Sequence, residues 1–87
     1  MLFLIASAPD TQQFKTALRM AKDMNADICL LQNAVYASRQ LNDNSLYVLH
    51  DEISLRGIAE NEISGRLIDY NALVDLMAGN DKVVGIF

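Results

Sequence analysis

Eighty-seven residues, 52% hydrophobic and 21% charged, are too apolar for a disordered chain, and no apolar run reaches the ~18 residues that cross a bilayer. Seven Lys and Arg against eleven Asp and Glu leave a net charge of −4, and the basic residues are scattered, which argues against a phosphate-gripping surface and direct nucleic-acid binding. One cysteine, Cys29, excludes an intrachain disulfide or a cysteine-built metal centre, and one histidine, His50, leaves only carboxylates to complete any metal site.

The length predicts a single domain over residues 1–87 with one thin core. The opening Met1-Leu2-Phe3-Leu4-Ile5-Ala6 lacks the basic start of a signal peptide, so it reads as a strand and the protein as cytoplasmic. Leu2 to Ala6 is a continuous apolar run of the kind buried on both faces. After Ser7-Ala8-Pro9, Asp10 is in position to cap a helix, with Gln13 completing a capping box. Phe14, Ala17, Leu18 and Ala21 give that helix one apolar face, and Asn25 suits a left-handed stop. Ile28-Cys29-Leu30-Leu31 predicts a second buried strand, closed by Gln32-Asn33 and followed by a short helix from Ala34 to Arg39.

Asn42-Asp43-Asn44-Ser45 is a turn cluster. Leu46-Tyr47-Val48-Leu49 predicts a third strand with His50 and Asp51 at its carboxyl end. Asp51 is placed to cap a short helix running through Arg56 to Gly57. Glu60 to Gly65 is a polar connection, and Arg66-Leu67-Ile68 a fourth strand. Asp69 caps a helix that turns Leu73, Leu76 and Met77 inward and ends at Gly79. Val83 to Phe87 predicts a fifth strand. Met20, Met24 and Met77 fall at helical positions and read as core filler.

Alternating strands and helices, with buried rather than alternating strands, indicate an α/β fold. The expected form is a small flavodoxin-like, five-stranded parallel sheet, order 2-1-3-4-5, with helices on both faces. A thioredoxin-like fold is the rival, disfavoured by the absence of C-x-x-C.

In such a fold ligands sit beyond the carboxyl ends of the strands. Those ends place Ser7, Gln32, Asn33, His50, Asp51 and Arg56 as a candidate cleft or interface. No cofactor is expected: Ser7-Ala8-Pro9-Asp10 lacks the glycines of a phosphate cradle and adds a negative charge. Cys29 is the one candidate nucleophile or persulfide carrier, but it lies within an apolar run and packs there as a small hydrophobe. His50 can serve as a general base, or bond locally at the sheet end. Arg56 can pair with Asp51 or Glu52 on one helix face, or bind an anion. The carboxylates Asp51, Glu52, Glu60 and Glu62 lack a fixed ligand spacing and read as a solvated acidic face, so no metal is expected. In the expected order the fifth strand is an apolar edge, which invites association with another chain.

Three segments carry a family resemblance. They are the opening strand leading to Ser7-Ala8-Pro9; Leu30-Leu31-Gln32-Asn33-Ala34-Val35-Tyr36-Ala37; and Leu46 to Ile53 with Arg56-Gly57, Ile63-Ser64 and Ile68-Asp69-Tyr70. In order and spacing they resemble the DsrH/TusB family of small sulfur-relay proteins. The resemblance implies a DsrE-like fold and a cytoplasmic complex with homologous TusC/DsrF-type and TusD/DsrE-type subunits. It also implies a non-catalytic part in sulfur relay toward tRNA wobble uridine 2-thiolation, since in the Tus system the essential cysteine belongs to the TusD-type subunit. The alternatives are a sulfane-sulfur carrier using Cys29, a subunit of a Dsr-type sulfur-oxidation complex, or a homodimer with an unrelated small ligand. Two departures stand out. Asn33-Ala34 occupies the place of a usual Asp-Gly pair. Ala17 stands near the first-helix position where some DsrH members carry a cysteine, so a persulfide role does not transfer.

Overall fold

The computed structural model describes residues 1–41 and 45–87; Asn42, Asp43 and Asn44 of the expected turn cluster lie outside the described residues. Five strands run in chain order: β1 (Leu2–Ile5), β2 (Asp27–Leu30), β3 (Leu46–Leu49), β4 (Arg66–Ile68) and β5 (Val83–Ile86). Helices α1 (Gln12–Asp23), α2 (His50–Leu55) and α3 (Tyr70–Ala78) follow β1, β3 and β4. Two 3-10 helices, Gln32–Arg39 and Glu60–Glu62, complete the connections. Every strand pair is parallel.

The strands lie in the order β4-β3-β2-β1-β5. The expected order shares the β1–β2 and β3–β4 neighbours and the edge place of β5. It differs in that β2 lies inside, between β1 and β3, and β5 flanks β1 rather than β4. The crossover rule explains the layers that result. Steps from β1 through β4 all move the same way, and right-handed crossovers then put their helices on one face. The step from β4 to β5 travels back across the whole sheet, so α3 falls on the other.

The core follows this division. Phe3, Ile5, Ile28, Leu30, Leu46 and Val48 pack against Phe14, Ala17 and Ala21 of α1, against Ala34, Val35 and Ala37, and against Ile53 and Ile58. On the opposite face Leu2, Leu4, Cys29 and Leu49 pack beneath Leu73 of α3, with Tyr47, Ile68 and Leu76 partly buried. Each fully buried Leu, Ile or Phe contributes about 1.5–3 kcal/mol, so the three-helix face carries most of the stability. The methionines do not serve as core filler. Met20, Met24 and Met77 are 41%, 52% and 39% exposed, because the alanines of α1 and Leu73 of α3 already fill the contact with the sheet.

The helix ends bear out some local readings and move others. The α1 cap is Thr11, one residue past the expected Asp10: its hydroxyl oxygen accepts from the Phe14 amide at 3.2 Å and donates to the Ala8 carbonyl at 2.7 Å. Asn25 takes the left-handed stop with φ 52°. Asp69 caps α3 by accepting from the Ala72 amide at 2.8 Å. Helix α2 begins directly at His50 with no side-chain cap, so Asp51 is a first-turn residue rather than its cap.

Candidate functional site

The carboxyl ends of β2 and β3 hold a polar cluster. Leu30 and Val48 are register partners, so the residues that follow them meet at one end of the sheet. Gln32 turns the chain with φ 47°, a left-handed conformation that costs an L residue other than Gly roughly 1 kcal/mol. The turn starts the first 3-10 helix and carries Asn33 toward α2.

Arg56 ties the cluster together. Its Nη1 donates to Glu52 Oε2 at 2.5 Å and to the Glu52 carbonyl at 3.2 Å. Its Nη2 and Nε donate to Asn33 Oδ1 at 3.2 and 3.4 Å. The Arg56 and Glu52 side chains are only 19% and 13% exposed. Most of the guanidinium's five N–H groups are thereby engaged, which disfavours an anion-binding role and makes Arg56 a brace between α2 and the turn after β2.

His50 reaches the other way. Its Nε2 lies 2.6 Å from Glu60 Oε1, and its Nδ1 lies 3.8 Å from Asp51 Oδ1. All three side chains are substantially exposed. Glu62 pairs with Arg39 at 2.7 Å, and the Ser64 amide donates to the buried Ser38 carbonyl at 2.9 Å. The acidic stretch therefore folds back onto the body: Glu52, Glu60 and Glu62 hold specific partners, while Asp51, Glu60 and Glu62 remain solvated, about half or more exposed.

The strand order also moves the crevice. A crevice opens where connections from neighbouring strands leave toward opposite faces. In the expected order that point lies between β1 and β3. Here the connections part between β3, which feeds α2 on one face, and β4, which feeds α3 on the other. Leu49 pairs with Ile68, so His50 and Asp69 stand at adjacent strand ends beside it. Ser7 follows β1, whose Ile5 pairs with Leu30, so it stands beside the Gln32 turn, two strands from β3, and shares none of the cluster's hydrogen bonds. Of the expected set, Gln32, Asn33, His50, Asp51 and Arg56 are brought to one end of the β2–β3 pair, and Ser7 lies at the same end of the sheet, after the neighbouring β1. Glu52 and Glu60 are members that the sequence reading placed only in the acidic face. The spacing of Glu52 to Arg56 signals their pairing. Glu60 is ten residues from His50, and no local pattern announces the contact.

Cys29 is wholly buried between β1 and β3, with Leu4 and Tyr47 as its register partners. Burial pushes its thiol up from 9.0 to about 12, so at neutral pH it is neither a thiolate nor accessible. No group of three or more His, Cys, Asp and Glu is arranged to hold a metal among the described residues. No helix among them is long and apolar enough to cross a membrane.

The comparisons with known proteins point one way. Residues 6–83 match the family model described as DsrH like protein. Among solved structures the chain is similar to protein Tm0979 from Thermotoga maritima, determined by solution NMR. That likeness has a TM-score of 0.72 and 27% sequence identity, and covers 94% of this chain and 97% of that one. A comparison with curated proteins finds no match.

Proposed function

Because the chain belongs to the DsrH-like family, whose general role is sulfur relay, we propose that it is a non-catalytic subunit of a cytoplasmic sulfur-relay complex supporting tRNA wobble uridine 2-thiolation. The observation that carries the non-catalytic part is the state of Cys29. The chain's one thiol is wholly buried and its pKa is raised to about 12, whereas a persulfide carrier needs an exposed thiolate to attack the donor and hand sulfur on. Sulfur is then carried on cysteines of homologous TusC/DsrF-type and TusD/DsrE-type subunits, and this chain supplies structure and contact surface. The cluster of Gln32, Asn33, His50, Asp51 and Arg56 is its candidate interface, a polar surface held in shape by Arg56 and His50. No direct contact with nucleic acid is required, in keeping with the net charge of −4.

The test is a tagged copy purified from its own cells, together with a deletion strain. Homologous cysteine-bearing subunits co-purify, and 2-thiouridine in tRNA falls in the deletion and returns on complementation, also with Cys29→Ala. Loss of sulfur oxidation with unchanged tRNA thiolation would replace the tRNA branch by the Dsr-type role. Loss of thiolation in Cys29→Ala, with the fold intact, would make the chain a carrier itself.

A further inference from the structure

The chain's sulfur atoms divide by burial. Its one thiol, Cys29, is wholly buried and its pKa is pushed up to about 12, so an oxidant in solution meets neither a thiolate nor an open path to one. The thioethers are the reverse case. All four methionines are exposed, by 38% to 52% of their surface. A thioether needs no deprotonation to be oxidised, because the neutral sulfur already carries the reactive lone pair.

Met20 differs from the other three in its surroundings. Gln13, Thr16, Ala17 and Met20 follow the i, i+3, i+4, i+7 spacing of one helix face, and that face of α1 turns toward β5. With Gln12 and Ile86 they line a shallow groove of about 380 Å³. Gln12 Nε2 donates to Thr16 Oγ1 at 3.2 Å, which leaves the second Gln12 N–H and the Thr16 hydroxyl proton free to donate. The Gln13 carboxamide has no hydrogen-bond partner among the described residues. The groove thus sets a weakly accepting thioether among several unused donors. Met24 is the C-cap residue of α1 and does not line it.

We propose that Met20 is a redox modification site, where a peroxide converts the thioether to a sulfoxide whose oxygen is received by the donors of Gln12, Gln13 and Thr16. The sulfur lone pair attacks one peroxide oxygen and the O–O bond breaks. The hydroxide that leaves takes the proton from the transferred oxygen and becomes water. Sulfur gives up two electrons and the peroxide gains them. A methionine sulfoxide reductase reverses the step: two thiols supply two electrons and two protons, end as a disulfide, and the oxygen departs as water. The sulfoxide oxygen is a far stronger acceptor than the thioether, so oxidation turns the unused donors of the groove into a hydrogen-bonded set. The site rests on the α1 groove alone and is independent of the sulfur-relay reading.

Peroxide treatment of the folded whole chain, followed by peptide mass mapping and NMR of the side-chain amides, tests it. Met20 and Met24 each gain one oxygen, at least about tenfold faster than Cys29 is oxidised, with circular dichroism unchanged. The Gln12 and Gln13 carboxamide signals shift as Met20 converts, and a methionine sulfoxide reductase returns mass and signals together. In Met20→Leu, a change of similar volume, Met24 still oxidises and those signals stay in place. A Met20 that keeps its thioether while Met24 is oxidised overturns the proposal. So does oxidation of Cys29 ahead of Met20, or carboxamide signals that ignore the Met20 sulfoxide or move equally in Met20→Leu. The wild-type mapping and shifts decide the matter even if the variant misfolds.

Discussion

Cys29 shows how one residue's surroundings override its chemistry. Its sequence neighbours, Ile28 and Leu30, already mark it as core, and the sheet completes its burial with Leu4 and Tyr47 on either side. A thiol whose folded pKa lies above its unfolded value holds its proton more firmly when folded. The stability it contributes is therefore fully present below pH 9 and is lost as pH rises toward 12. Chemical denaturation of wild type and Cys29→Ala between pH 8 and 11 checks this. The wild-type unfolding constant rises more steeply with pH, by up to about tenfold per unit from this group, and a thiol reagent at neutral pH modifies Cys29 only after unfolding. Arg56 is the contrasting case. The sequence marks its pairing with a helix-face carboxylate through spacing, but its reach to Asn33 is a tertiary fact, and that reach decides that it braces rather than grasps.

At the scale of elements, turns carry the strain. Gln32 and Gly65 both adopt positive φ, 47° and 95°, but for different reasons. At Gly65 an added Cβ would lie 2.9 Å from the Leu46 carbonyl oxygen and 3.0 Å from its side chain, so the backbone approach needs glycine. Gly65→Ala is expected to destabilise the fold by about 2 kcal/mol or more. At Gln32 an L side chain sits in a conformation glycine prefers, so Gln32→Gly is expected to stabilise the fold by about 1 kcal/mol. Urea denaturation of both variants gives the two signs. Neither conformation is visible in the sequence at Gln32, because glutamine carries no preference for the left-handed region. Asn25 and Asp69 were legible for the opposite reason, since their side chains favour such positions locally.

At the scale of the molecule, one face of the sheet is covered by three connections and the other by α3 alone. Tyr70, Val74 and Met77, spaced to share one side of α3, are 52%, 61% and 39% exposed, while Leu73 is the helix's buried anchor, 8% exposed. Leu73→Ala is expected to lower stability by about 2–4 kcal/mol. Amide exchange should accelerate first in α3, ahead of β1 and β2, because a single buried side chain, Leu73, anchors it. Equal acceleration throughout would show that α3 opens only with the whole fold.

Local pattern was enough for the α/β class, the strands, the polarity of the sheet, the caps at Asn25 and Asp69, and the core place of Cys29. These follow from periodicity and local bonding, which act over a few residues. Which strands are neighbours, and with that where the connections part and which groups Arg56 and His50 meet, follows from the packing of the whole chain. The first three crossovers and the fourth obey the same handedness rule, but the direction in which each strand is added depends on which faces bury most apolar surface together. That sum runs over residues far apart in the chain, such as Leu2 beside Val83 and Asp27, and no local pattern records it.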